Sequence, residues 1–294
     1  MPFGNRTSSW REDGDWHPRK KRTLKQVNQR DFISMRPYRI SVVELTRIVR
    51  FHFDGSPRPL GSNGYAGRPS ISGLAPMVEV QITLRGEPDP KSHYVLDIKV
   101  FDRWANEHVF PAFTNPPGTS SIEDVFRRAF AGGDVLPHEL IAITLKLTPF
   151  ASLTLEKSMS DTRPTLTYSQ SYDFAAAHYL WAHEANEERN RELYGKCSGI
   201  HGHNYQVEVV VEPEAQNPIP SGVLDQVVNE HLLDAWDHRV LNDLEDFQDV
   251  PPSVERIAQK AADRLAAPLA ACSLKLREVS VSETDRTRAR VRLG

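Results

Sequence analysis

Apolar and polar positions alternate along much of this chain. Val78, Val80, Ile82 and Leu84 recur at every second residue, and Ile141, Ile143, Leu145 and Leu147 do the same. A period of two places the apolar members on one face of a strand, as in a half-buried antiparallel sheet. The stretch 40–51 (ISVVELTRIVRF) and Ser152–Glu156 read as further strands, and Tyr94–Ile98 begins another element. A Gly/Pro/Ser/Asn-rich loop fills 54–76. Ser120–Phe130 reads as a helix, with a serine cap, an acidic first turn and Gly132-Gly133 as its stop.

The second half repeats this order. His178 follows a strand as His52 does, 126 residues apart; Leu224-Asp225 echoes Leu96-Asp97 at 128, Glu255 echoes Glu123 at 132, and Glu283 echoes Glu156 at 127. Four echoes near one offset predict an internal duplication, and a period this long means two domains, not a solenoid. Each copy reads strand, strand, helix, helix, strand, strand, an α+β order. The predicted boundaries are a leader over 1–35, a first domain over 36–160 and a second over 165–294.

Composition narrows the setting. The chain has 294 residues, 39% hydrophobic and 26% charged, with a formal net charge of −3. That balance gives no pull toward nucleic acid or anionic membrane. No apolar run approaches the ~18–20 residues of a membrane-spanning helix. Two cysteines are too few for a disulfide framework, and with no apolar signal core at the N-terminus they place the chain in the cytoplasm. The leader carries His17-Pro-Arg-Lys-Lys-Arg22 and lacks periodicity, so it reads as a solvated, disordered basic segment. Cys272, in an alanine-rich stretch, reads as a small core residue.

The chemistry gathers at Cys197–Tyr205, whose sequence is CSGIHGHNY. His201 and His203 lead into the β-branched run Gln206–Val211, so on a strand both imidazoles face the same way. Gly202 between them permits close approach of backbone or substrate. Tyr172–His178 is a second apolar strand-like segment, and a polar connection over Glu184–Lys196 lets it pair with the first. His178, His201 and His203 thus make a candidate set of three nitrogen ligands. Three histidines without a fourth protein ligand describe a catalytic zinc, one per chain, because the open position accepts substrate or water. The first half has no cysteine and no His-x-His, so it lacks this set; its Glu107-His108 is at best an echo of Asp237-His238.

These residues carry a resemblance. Phe174–His178, Cys197–Tyr205, Leu224-Asp225, Asp237-His238 with Leu241-Asn242, Pro252–Glu255 and Ser282–Thr284 follow one another over 168–294. The ordered set resembles the 6-pyruvoyltetrahydropterin synthase / 6-carboxytetrahydropterin synthase family. That likeness implies the tunnelling fold (T-fold): two tandem units, each a four-stranded antiparallel sheet with two helices on one face, the first degenerate and the second catalytic. It also implies a zinc-dependent lyase acting on 7,8-dihydroneopterin triphosphate. Cys197 would be the thiolate base, Asp237 would orient His238, and Glu283 would hold the amino-pyrimidine edge of the pterin and share in proton transfer. Glu255 departs from the family's Pro-Thr-x-Glu-Asn pattern and reads equally as a first-turn helix acid. The three-residue gap from Cys197 to His201 resembles the 6-carboxy enzymes, which release acetaldehyde and feed queuosine (7-deazaguanine) synthesis. The lead-in Asn190–Lys196 resembles the 6-pyruvoyl enzymes; the expected product is the 6-carboxy one, with the 6-pyruvoyl product as the alternative and a non-catalytic zinc- or pterin-binding protein as a more remote one. Family members close their sheet edges in rings, which implies a homo-oligomer, most simply a trimer of two-domain chains.

Overall fold

The structure, a computed structural model, describes residues 41–52, 77–114, 121–157, 163–213 and 221–293. The predicted basic leader and the loop over 54–76 lie outside these. Strands β1 (Val43–His52) and β2 (Met77–Gly86) come first, then helix α1 (Ile98–Trp104), which passes through a π-helical turn (Ala105–Val109) into α2 (Phe110–Thr114). Helix α3 (Ile122–Ala131) and strands β3 (Glu139–Thr148) and β4 (Ala151–Glu156) follow. Next come β5 (Thr165–His178), α4 (Glu187–Tyr194) and β6 (His201–Pro213). Helix α5 (Ser221–Val228) runs through a second π-helical turn (Asn229–Leu233) into α6 (Asp234–Trp236). The short β7 (Arg239–Val240), α7 (Val254–Ala271), β8 (Leu274–Thr284) and β9 (Thr287–Arg292) complete the described chain.

Among the described residues nine strands lie in one sheet, in the order β1-β2-β3-β4-β5-β6-β8-β9, with β7 beside β5. The region around residues 160–165, where a domain boundary is predicted, is bridged by a strand pairing. Glu156 of β4 stands opposite Thr165 of β5, and Ala151 opposite Gln170. Strand β5 outruns β4, and β7 takes over the vacated edge in parallel, pairing Arg239 and Val240 with Ala176 and Ala177.

Register explains why one face is apolar throughout. Val80, Ile82, Ile143, Leu153, Leu155, Tyr168, Val207, Val209, Val211, Val279 and Val281 are all buried. Ile82 faces Ile143, Leu153 faces Tyr168, and Val209 faces Val279 across the ladders. A slip of one residue would turn every one of these outward, so the register is strongly specified. The other face pairs polar groups across strands. Thr46 bonds Thr83 and Thr144 bonds Thr154, both at 2.9 Å, and Ser169 donates to Glu208 at 2.7 Å.

Helix α7 shows how the core forms. Val254, Ile257, Ala258, Ala261, Ala262, Leu265 and Leu269 recur at three- and four-residue spacing and bury one stripe. Glu255 lies in its first turn, where bonds from Ser253 and from its own backbone N–H hold the carboxyl below its usual range. The predicted burial of Cys272 does not occur. The helix ends at Ala271, and Cys272 caps it before Ser273, at φ +59°, turns the chain into β8, leaving the thiol exposed. Helix α3 follows its expected signals: Ser121 and Asp124 form a reciprocal capping box, and Gly132 ends the helix.

The two halves share a feature that the sequence pattern does not announce. Each carries a helix interrupted by a five-residue π-helical turn, after α1 and after α5, and the two turns begin 124 residues apart, at Ala105 and Asn229. Such turns are rare. Their spacing aligns Glu107-His108 with His231-Leu232, not with Asp237-His238. The His108 ring lies 5.9 Å from that of Trp104, and Gly132 fits against its Cβ where an added methyl would come within 2.6 Å. His108 is therefore a packing residue, and the expected echo is corrected. No helix among the described residues is long and apolar enough to cross a membrane.

Candidate metal centre and active site

Strands β5 and β6 pair so that His178 stands directly opposite His201, with Ala176 opposite His203. The alternation of the pleat therefore brings three imidazoles together at one end of the hairpin. The His178 ring lies 4.4 Å from that of His201 and 5.2 Å from that of His203, which are 5.1 Å apart. One nitrogen from each falls within 4.8 Å of the other two, within reach of a single ion.

Hydrogen bonds set the tautomers. His178 Nδ1 lies 2.7 Å from the Pro252 carbonyl and His201 Nδ1 lies 2.8 Å from the Gly199 carbonyl. A carbonyl only accepts, so each Nδ1 carries the proton and each Nε2 keeps its lone pair. His178 is 1% exposed, and its Nε2 has no hydrogen-bond partner. Burial, reinforced by the two neighbouring imidazoles, lowers its pKa to about 4 against the opposing effect of the Pro252 bond. The ring stays neutral, the form that ligates a metal. A second sphere that fixes ring orientation through a carbonyl is what metal-binding histidines ordinarily have, and this donor set fits a zinc ion.

The surrounding backbone is pinned to this end of β5. Asn242 accepts from Tyr179 N–H and donates to the Tyr179 carbonyl, each at 2.9 Å, clamping the residue after His178. Asp237 accepts the Ala175 N–H at 2.9 Å, and His238 donates its own N–H to the Ala175 carbonyl at 2.6 Å. His238 adopts a left-handed backbone, φ +57°, which costs a non-glycine residue roughly 1–2 kcal/mol. Its Nδ1 lies 2.8 Å from the Asp237 carboxylate, and its side chain is 81% exposed. The Ala175 N–H, then His238, hold the Asp237 carboxyl below the usual range.

Cys197 reaches the site by another route. The connection expected to be only polar folds into α4, capped by Asn186 and followed by a 3₁₀ turn over Gly195–Ser198. The buried Asn190 stitches this segment together, accepting from Ala182 N–H at 2.7 Å and donating to the carbonyls of Ala182, Ala185 and Asn186. Gly195, at φ +55° and ψ −126°, occupies backbone space that only glycine enters readily. Leu180 N–H then donates to the Cys197 carbonyl at 2.8 Å, docking the turn two residues beyond His178. The thiol is exposed.

Within the described residues the three histidines converge, and Asp237 pairs with His238. Cys197 and His238 make no hydrogen bond with each other: the first meets the chain at Leu180, the second at Ala175, three residues before His178. Glu283 lies on β8, half-buried. Gln206 faces Ser282 and Val207 faces Val281, and Glu283 follows where that ladder ends, near enough to Tyr205 for its charge to act on the phenol.

Tyr205 is a site residue that the sequence reading passes over. Its ring is fully buried and stacks on Phe174 at 4.9 Å, 5.5 Å from the His203 ring and 6.0 Å from that of His178. Its hydroxyl has no hydrogen-bond partner, a cost of roughly 1–3 kcal/mol for a buried group. Burial and the Glu283 charge push the phenol pKa upward, so it stays protonated. The signal was available, because Tyr205 shares strand parity with His201 and His203. Pro252 gave none, since its contribution is a backbone carbonyl.

Fold and site together define an α+β protein whose antiparallel sheet presents a three-histidine centre suited to zinc. The profile of the family described as 6-pyruvoyl tetrahydropterin synthase matches residues 167–293. A 6-pyruvoyl tetrahydrobiopterin synthase of Poecilia reticulata is 35% identical over 121 residues, 38% of this chain and 80% of the relative. Its counterpart in Homo sapiens is 33% identical over 125 residues, 40% of this chain and 84% of the relative. The solved structure of the Caenorhabditis elegans 6-pyruvoyl tetrahydropterin synthase aligns with 45% of this chain and 97% of its own, at 26% identity and a TM-score of 0.38. This chain belongs to the 6-pyruvoyl tetrahydropterin synthase family, a family of pterin synthases.

Proposed function

We propose that this chain is a zinc-dependent lyase that converts 7,8-dihydroneopterin triphosphate to 6-carboxy-5,6,7,8-tetrahydropterin, releasing acetaldehyde and triphosphate for 7-deazaguanine (queuosine) synthesis in the cytoplasm. One observation carries the reading. A buried, neutral His178, its Nδ1 held by Pro252 and its Nε2 without a partner, faces His201 and His203 at a strand end. His178, His201 and His203 would hold one zinc per chain. When bound, the ion supplies Lewis acidity to the side-chain oxygens of the substrate and makes the neighbouring C–H bonds more acidic.

The chain's own groups divide the remaining work. Cys197 takes the side-chain proton as a thiolate. Asp237 accepts the Nδ1 proton of His238 and so leaves Nε2 as the exchanging nitrogen. Glu283 accepts paired N–H bonds from the pterin's amino-pyrimidine edge, the geometry that suits a carboxylate. The compact turn from Cys197 to His201 supports the 6-carboxy product. A second reading, a 6-pyruvoyl product, is favoured by the names of the curated relatives. Incubating purified protein with dihydroneopterin triphosphate and weighing the pterin by mass spectrometry separates the two. A C-linked carboxylate with acetaldehyde is the expected outcome; a three-carbon side chain selects the second reading. Substrate bound but unaltered identifies a non-catalytic binder.

The chain is further read as two tandem T-fold units, a degenerate one over 36–160 and a catalytic one over 165–294. The repeated element order and the paired π-helical turns support this. Strands β1 and β9 end the sheet, and exposed edges are a liability that pairing removes. A homo-oligomer, most simply a trimer, would close them, and the exposed His238 and Cys197 suit a pocket completed by a second chain. Light scattering should return a multiple of 33.3 kDa; a fully active monomer would sink this part of the proposal.

A further inference from the structure

We infer that Tyr205 is a positioning residue for substrate: in the occupied site its hydroxyl donates a hydrogen bond to the Glu283 carboxylate and fixes it for the ligand. This rests on the pterin synthase reading above. Three observations bring the residue forward. The hydroxyl is fully buried and has no acceptor, whereas the other deeply buried polar side chains among the described residues are largely satisfied. Native structures rarely leave such groups orphaned, and those that remain call for a reason. The only other orphan among the described residues is His178 Nε2, which belongs to the candidate metal centre. Two groups left without partners therefore sit side by side, their rings 6.0 Å apart.

The ring itself cannot swing away. Phe174 stacks on it at 4.9 Å with 14° between the planes, and the His203 ring meets it edge-on at 5.5 Å. Orientation is thus prepaid by packing, which is how a pre-placed donor acts without ordering cost when ligand arrives. The acceptor follows from the ladder. Residues of β6 and β8 on this face stand opposite each other, Val207 with Val281 and Val209 with Val279. That ladder ends with Gln206 opposite Ser282, so Glu283 follows directly at the end of β8 nearest the histidines, close enough for its charge to act on the Tyr205 phenol. A half-buried carboxylate there can turn toward the phenol, satisfy its hydroxyl with one oxygen and keep the other lone pairs for a ligand's N–H groups.

Tyr205→Phe tests this, because it deletes only the hydroxyl. If the residue were a core filler, the variant would turn over substrate as the wild type does. If the hydroxyl served the ligand-free fold, the melting temperature would drop. We expect neither. The melting temperature of Tyr205→Phe should match or exceed that of the wild type, since an unsatisfied group has been removed. In the mass-resolved assay kcat/KM should fall roughly 10- to 100-fold, the range for losing a hydrogen bond to a charged group. In a Glu283→Gln background the same change should add less than about threefold, because the two residues act as one unit. Unchanged kcat/KM, or equal losses of activity and melting temperature, would overturn the inference while leaving the pterin synthase reading intact. A full additional loss in the Glu283→Gln background would show that Tyr205 does not act through Glu283. A wild-type chain inert toward dihydroneopterin triphosphate would overturn both.

Discussion

Replacing His201 and His203 together by alanine will strip the protein of zinc, while the wild-type chain binds about one ion per chain. The expectation rests on donor counting. With both gone, His178 is the sole nitrogen left at the hairpin end, and one imidazole does not retain a zinc ion through purification. The fold should survive, because both side chains are only partly buried, at the strand end of the face whose fully buried positions begin with Tyr205 and Val207. Elemental analysis alongside far-ultraviolet circular dichroism reads both outcomes. Stoichiometric zinc in the double variant would refute the three-histidine centre. Unfolding would mean that the histidines hold the hairpin together.

Cys197→Ala should cut turnover by about 10²- to 10⁴-fold, the usual contribution of a positioned acid or base, with zinc content and substrate affinity close to those of the wild type. The structure explains why the substitution is clean. What Cys197 gives to the fold is its backbone carbonyl, which accepts from Leu180, and alanine keeps that bond. Its side chain is exposed on the 3₁₀ turn, so no core volume is lost. Single-turnover kinetics combined with metal analysis settle the role. A variant that loses its metal instead would make the thiol a fourth ligand and the centre structural.

Much of the site was legible because strand parity is unforgiving. His201 and His203 two residues apart on a strand must share a face, and His178 at the end of an apolar run was a sound partner for them. The same parity argument extends to Tyr205, where the sequence reading stopped one step short. Other parts had no such signature. The tautomer of His178 is set by the Pro252 carbonyl, and every residue has a carbonyl, so nothing in the letters marks this one. Helix α4 (EERNRELY) is polar on nearly all sides and held by Asn190, so it offers no apolar stripe to detect. The two-residue β7 is too short for any periodicity, yet it places Asp237-His238 against β5. Cys272 misled in the opposite sense: an alanine-rich neighbourhood suggested burial, but the helix ended one residue too early.

The ladder between β4 and β5 also bears on dilution. A seam between separate chains dissociates as concentration falls, whereas this one joins segments tethered by the connection over 157–164, at an effective concentration on the order of millimolar. At any protein level in a cell, then, the edge of the hairpin that carries the three histidines stays covered by its own chain. The seating of that hairpin against β4 is thereby insulated from variation in expression, whereas any pairing of the outer edges, β1 and β9, with a second chain would weaken on dilution.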